Sequence, residues 1–327
     1  MLNRRQFLGI VGGVTVVGLA ACSSDTPAAG SGSPSSTPTT GANAVGTGAP
    51  ASPTVGSAGE APGTTTAAAA GHRRVLVIVQ LMGGNDGLNT LIPTAGAYMD
   101  ARPTLAIPEA KRIALAGRTD FALHPSLAPL APLWSANQLA FVESVGFADQ
   151  NRSHFVALDQ WWRADDLSAT SGWLGNYLAA QSNTDPLFAT ALNAGAPLLL
   201  NATNQAAVIY QPAAFKFSKA INGSLLSSMT APPSSDPIQA AAQQALARSI
   251  TAVSDFTKVL AIPDSTDDGT GSDREGGATL ADGLATAAKL VTGDPNTQIV
   301  IVSAAGFDTH SGQLDTQAAL FTDLAQG

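Results

Sequence analysis

The sequence predicts an α/β fold in which a mostly parallel sheet is sandwiched by helices, and three observations carry that prediction. Residues 75–82 (VLVIVQLM) and 298–304 (QIVIVSA) are nearly continuous apolar runs, the pattern of strands buried on both faces. Residues 139–147 (LAFVESVGF) form a third run of strand character. Amphipathic stretches with helix-start signals lie between them, and strands alternating with helices build a layered α/β domain. No internal repeat of fixed period is visible.

The first 22 residues are read separately. Asn3-Arg4-Arg5-Gln6-Phe7-Leu8 carries twin arginines, an address for the machinery that exports folded proteins. A short apolar stretch follows and closes on Leu19-Ala20-Ala21-Cys22, small residues before a cysteine, as at the cut site of bacterial lipoproteins. Residues 8–21 fall short of the roughly 20 residues needed to cross a bilayer, so no lasting transmembrane helix is expected. On that resemblance Cys22 is expected to become the lipidated first residue, with several acyl chains holding the protein on the membrane, facing the extracytoplasmic side; the alternative is a soluble protein whose N-terminal helix is buried. Cys22 is the only cysteine, so no internal disulfide can form.

Residues 23–71 are almost entirely Ser, Thr, Ala, Gly and Pro, with Asp25 and Glu60 the only charges. Without large apolar side chains such a stretch cannot offset the entropy of ordering, and a disordered tether is expected. Residues 72–327 remain for one large domain. Removing residues 1–22 takes Arg4 and Arg5 and no acid, so the net charge moves from −8 to −10, with 14 basic against 24 acidic residues. That balance argues against nucleic acid as a partner, because phosphate binding needs a basic face. His72-Arg73-Arg74 marks the domain edge.

Within the domain, Asn151 is a candidate cap for a helix with Phe155, Leu158 and Trp162 on its inner face. Asp236-Pro237 is a stronger start, a cap with proline in the first turn. Ile238, Ala242, Leu246, Ile250, Val253 and Leu260 share one side of that helix. Thr279 with Asp282 forms a capping box opening a helix to about residue 291. Residues 264–277 are an acidic, Gly-rich surface loop, and the turn signal Gly293-Asp294-Pro295-Asn296 introduces the last strand. A final amphipathic pattern contains Phe321, Leu324 and Ala325.

Ligands of parallel sheets bind beyond the carboxyl ends of the strands, so three polar loops hold the candidate chemistry. They are residues 83–90 (GGNDGLNT), 148–154 (ADQNRSH) and 306–313 (GFDTHSGQ). Asp308 and His310 offer an oxygen and a nitrogen ligand two residues apart, a spacing that can converge on one divalent cation. Alternatively, Asp308 caps the next helix beside an exposed histidine. Asp86, after the first strand, is a further metal-ligand candidate, with Asn85 and Asn89 beside it. The glycines and Asn-Asp pair of that loop also suit a plain turn with positive φ. It is no dinucleotide fingerprint, since the G-x-G-x-x-G spacing is absent and Pro93 interrupts the expected helix. Ser153 stands near a helix start, where free backbone N–H groups favour a developing alkoxide, and His154 or a metal could activate it as a nucleophile. A capping hydroxyl is the other reading. His124 is read as structural, and Trp161, Trp162 and Trp173 as core or rim packing.

Together the stretches VLVIVQLMGGNDGLNTLIP, Arg152-Ser153-His154-Phe155, Ser171-Gly172-Trp173-Leu174-Gly175 and GFDTHSGQ resemble a bacterial "domain of unknown function" family of twin-arginine-exported proteins. That family is placed with the alkaline phosphatase and sulfatase superfamily. The resemblance implies an alkaline-phosphatase-like fold with a divalent-metal site at the strand ends. It also implies Asp308 and His310 as ligands, Asp86 near the superfamily's first-strand aspartate, and Ser153 near the usual nucleophile. The family's Ser-Glu-Phe-Gly-Arg stretch and Asp-His-Gly turn are absent, so a domain incomplete at its C-terminus, with a partial metal site, is expected. The resulting expectation is an exported, lipid-anchored, metal-dependent hydrolase of small phosphate or sulfate esters. The alternatives are a non-catalytic envelope lipoprotein that binds a glycan or protein, and a metal-free serine esterase using Ser153, His310 and Asp308.

Overall fold

The core of the domain is a four-stranded, all-parallel sheet with helices on both faces. The computed structural model describes residues 73–149, 151–181, 183–201, 206–218, 223–230, 234–262, 279–294 and 296–327. Cys22, Arg4, Arg5, the tether and the acidic loop 264–277 therefore lie outside the described residues. The described residues belong to the unit that includes Arg73–Gly327.

Seven strands are described: β1 (Leu76–Leu81), β2 (Leu91–Pro93), β3 (Ile113–Ala114), β4 (Phe121–Leu123), β5 (Ala189–Leu192), β6 (Ala207–Ile209) and β7 (Ile299–Ala304). The main sheet has the order β1-β7-β5-β6. β1 and β7 pair in unbroken register from Leu76↔Ile299 to Leu81↔Ala304. Every residue of β7 is buried, and its side chains alternate between the two apolar layers. Val300, Val302 and Ala304 enter one cluster with Phe256, Leu290 and Phe321, while Ile299 and Ile301 enter the other with Leu174, Leu178 and Leu198. An uninterrupted apolar sequence is what a strand covered on both faces requires.

Nine α-helices, besides four short 3-10 turns, accompany these strands among the described residues: α1 (Gly87–Thr90), α2 (Gly96–Ala101), α3 (Ala131–Ser135), α4 (His154–Trp162), α5 (Trp173–Ala179), α6 (Gly223–Thr230), α7 (Pro237–Leu260), α8 (Leu280–Gly293) and α9 (Gln313–Gln326). The start signals of the long helices act as the sequence predicts. The Asp236 carboxylate accepts from the backbone N–H groups of Ile238 and Gln239. Thr279 and Asp282 make a reciprocal capping box. α9 buries Phe321 completely.

Four expectations are corrected. Residues 139–147 form no strand, and Ser144 in their middle holds φ of +58°. The cap of α4 is Ser153, with the Asn151 side chain two residues earlier accepting the Ser153 N–H at 2.8 Å. Phe155 is 87% exposed, so it leaves the inner face that its spacing predicts, while the Trp162 indole donates to Gln80 at 2.8 Å. In α7, Ile238 and Ala242 are also exposed, and burial begins further along, with Val253, Phe256 and Val259.

A second sheet, β2-β4-β3, is antiparallel and was not expected. It occupies the chain just after α1 and accounts for Pro93, which ends a strand there. His124 follows β4 and is buried, as its structural reading predicts. Its Nδ1 accepts the Ser126 N–H at 3.1 Å, and its ring meets Phe321 edge-on.

Candidate functional site

Two glycines build the site. Just beyond β1 and Met82, Gly83 and Gly84 hold φ values of +113° and +115°. A side chain at Gly83 would put its Cβ 2.7 Å from the Asp308 backbone nitrogen. One at Gly84 would come within 2.4 Å of the His154 ring. Glycine is required here for both the conformation and the close approach. The turn is also tied to the chain beyond β7, because the Met82 N–H bonds Ala304 and the Phe307 N–H bonds Met82.

Asp308 and His154 therefore meet across the double-glycine turn. His154 Nε2 lies 3.2 Å from Asp308 Oδ1, and His310 Nε2 lies 3.0 Å from Asp308 Oδ2. One carboxylate thus holds two imidazoles, one on each oxygen. The side chains of Asp308, His154 and His310 are 42%, 49% and 83% exposed, so the cluster opens to solvent. An ionised carboxylate only accepts hydrogen bonds, so each ring meets it through an Nε2–H donor. Such an arrangement fixes the tautomer of both rings. Among the described residues, no group of three or more His, Cys, Asp or Glu side chains is set around a common point as a ready-made metal site. In donor chemistry, two imidazoles and a carboxylate still suit a divalent cation.

Ser153 caps α4 next to His154, yet its side chain makes no capping hydrogen bond. The hydroxyl is thus left over from the structural role that its position suggests. It sits where the N-terminal N–H groups of α4 favour negative charge.

Asp86 is placed differently. Its carboxylate pairs with the Arg102 guanidinium, accepts from Gln313 Nε2 and caps α1 through the N–H of Leu88. All of these partners organise the loop. Asn85 donates to Thr90 at 2.9 Å and accepts from Gln317. Asn89 is fully buried, donates to the Leu105 carbonyl and accepts the Tyr98 hydroxyl at 2.7 Å. The structure thus brings together Asp308, His310 and His154, with Ser153 one residue away, and gives Asp86, Asn85 and Asn89 to the scaffold. Arg102 and Gln317 are scaffold partners that no motif announces.

A cavity of about 310 Å³ lies close by, lined by Asn193, Thr279, Leu280, Phe307, Leu320 and Asp323. Phe307 adjoins Asp308 in sequence, and Ser303, Ala304 and Ala305 at the end of β7 join the start of α8, α9 and Asn193 in lining this space. The Asp323 carboxylate accepts the N–H groups of Leu280 and Ala281, so the N-terminus of α8 is already capped from α9. Comparison with protein-family models, curated proteins and solved structures finds no match to this chain.

Proposed function

We propose that this protein is an exported, lipid-anchored hydrolase of phosphate or sulfate esters, with an alkaline-phosphatase-like domain whose centre is Asp308. The observation that supports this most is the carboxylate that bonds His154 with one oxygen and His310 with the other, at the carboxyl ends of β1 and β7. Acid–base work needs an imidazole of fixed tautomer within reach of the reacting group. Asp308 provides that for two rings at once.

In the proposed reaction Ser153 Oγ attacks phosphorus or sulfur, and its proton passes to an imidazole of the cluster. The bond from phosphorus or sulfur to the leaving oxygen breaks, and that oxygen takes the proton. Water then releases the product from Ser153 by the reverse proton path. Asp308 and His310 would hold a divalent cation, leaving His154 as the imidazole that takes the proton. Bound there, the cation would polarise the ester and stabilise the developing charge. The twin arginines and Cys22 supply export and membrane attachment in this reading.

A metal-free serine esterase is the second reading, favoured by the contact between Asp308 and His310, which are only two residues apart. One experiment tests both: bound metal and turnover of an aryl phosphate and an aryl sulfate, with and without chelator. Loss of metal and turnover in Asp308→Ala and His310→Ala supports the metal-dependent hydrolase. Turnover that survives chelation and vanishes in Ser153→Ala supports the esterase. A folded, metal-free, inert protein leaves a non-catalytic envelope lipoprotein.

A further inference from the structure

α9 is fixed along one face. Gln313, Gln317 and Phe321 recur every fourth residue, so they stand one above another on the same side of the helix. Phe321 is fully buried, and Gln317 Nε2 donates to Asn85 Oδ1 and to the Asp86 carbonyl, both at 3.2 Å. Gln313 completes the row by donating to Asp86 Oδ2. The Asp86 carboxylate is itself held by Arg102, whose Nη1 donates to Oδ1 at 3.1 Å. No other side chain among the described residues bonds that guanidinium, and its buried Nε has no hydrogen-bond partner. Asp86 is thus committed, because turning toward a cation would leave the largely buried Arg102 without its counter-charge.

The loop that leads into α9 has few ties. At its near end the Phe307 N–H bonds Met82, and Asp308 meets His154. From Thr309 to Gly312 no hydrogen bond leaves the loop among the described residues, and the His310 ring bonds only Asp308. Gly312, the N-cap of α9, holds φ of +60° and has no side chain to close the first turn. The next hydrogen bond from the chain to another part of the fold is that of Gln313, three residues after His310.

We propose that Gln313, held by Asp86 and Arg102, is a positioning residue for the pair Asp308 and His310. The clamp fixes the far end of the loop as Phe307 fixes the near end, and so maintains the 3.0 Å between His310 Nε2 and Asp308 Oδ2. Asp86 then serves the site through the loop rather than as a ligand. Groups that orient metal ligands from behind change metal affinity by about 10–100-fold when removed. The consequence for cation binding rests on the proposed function, whereas the clamp itself does not.

Two variants separate clamping from simple packing. Gln313→Leu keeps a similar size and removes the donor, whereas Gln313→Lys restores a donor for Asp86 with a different group. Backbone ¹⁵N relaxation of the full chain reads the loop without substrate or metal. The expected order parameters of Thr309 to Gly312 are about 0.85 in wild type and Gln313→Lys, and below about 0.6 in Gln313→Leu. Gln317 and Phe321 still hold α9, so the melting temperature should stay nearly unchanged. Calorimetric titration with Zn²⁺ should show affinity about 10–100-fold weaker in Gln313→Leu and recovered in Gln313→Lys. Equal order parameters in wild type and Gln313→Leu overturn the proposal, and so does a Gln313→Lys loop as mobile as that of Gln313→Leu. Zinc bound equally well by wild type and Gln313→Leu overturns it too. A wild type that binds no zinc but gives the expected order parameters counts against the proposed cation and supports the clamp.

Discussion

Replacing Gly83 by alanine strikes the point where β1, Asp308 and the turn meet. The new Cβ would stand 2.7 Å from the Asp308 nitrogen and 2.8 Å from Asp308 Cβ, both closer than real Cβ contacts allow. The obstacle is largely backbone, so no side-chain rotation relieves it. The residue must also keep φ of +113°. Positive φ costs an L-residue about 1–2 kcal/mol, and forcing packed groups apart adds about 1–3 kcal/mol, giving a loss of about 2–5 kcal/mol. Gly87 supplies the control, since a Cβ there meets nothing within 4 Å and its φ is not positive. Gly87→Ala should change stability by less than about 0.5 kcal/mol. Urea unfolding with linear extrapolation measures both variants. If Gly83→Ala loses no more than Gly87→Ala, the double-glycine turn does not mould the site.

Asp86→Ala should cost about 3 kcal/mol in the same assay, because it strands Arg102 in a largely buried setting and uncaps α1. Asp308→Ala should cost less than about 1 kcal/mol, as an exposed ion pair does. Asp236→Ala should cost about 1 kcal/mol through loss of the cap of α7. Burial pushes the His124 imidazole below its ordinary 6.5, so the folded state prefers the neutral ring. Stability should therefore hold above about pH 6.5 and fall as pH drops from there toward the folded value, because the unfolded chain takes up the proton first. Melting temperatures of wild type and His124→Gln across this range check it, with a flatter profile in the variant. The Asp120 and Asp166 carboxyls, held low by hydrogen bonds from Arg118 and Ser168, titrate further down and leave this window undisturbed.

β1 and β7 are legible in the sequence because a strand buried on both faces has no polar alternation to obscure it. β5 and β6 are not, since ATAL and AVI are too short and alanine-rich to stand out. The small antiparallel sheet escapes for the same reason, with strands of two and three residues. Local chemistry reads well: the caps at Asp236 and Thr279 need only their own next turn. The exposure of Phe155 and Ile238 does not, because helix spacing fixes a stripe but the rest of the fold decides how much of it is covered. The site divides the same way. Asp308 and His310 are neighbours in sequence and recognisable as a pair, whereas the meeting of Asp308 with His154 depends on the double-glycine turn between two strands. Asp86 has the position of a ligand, but Arg102 and Gln313, far apart in sequence, claim its carboxylate.

The most direct test of the Asp308-centred hydrolase is the turnover of an aryl phosphate and an aryl sulfate by wild type and Asp308→Ala, compared at equal fractions folded. The account predicts turnover by wild type and a loss of at least about 100-fold in the variant, the scale of a lost acid–base group, with the melting temperature nearly unchanged. Wild type with no turnover above buffer, or Asp308→Ala as active as wild type, would contradict it.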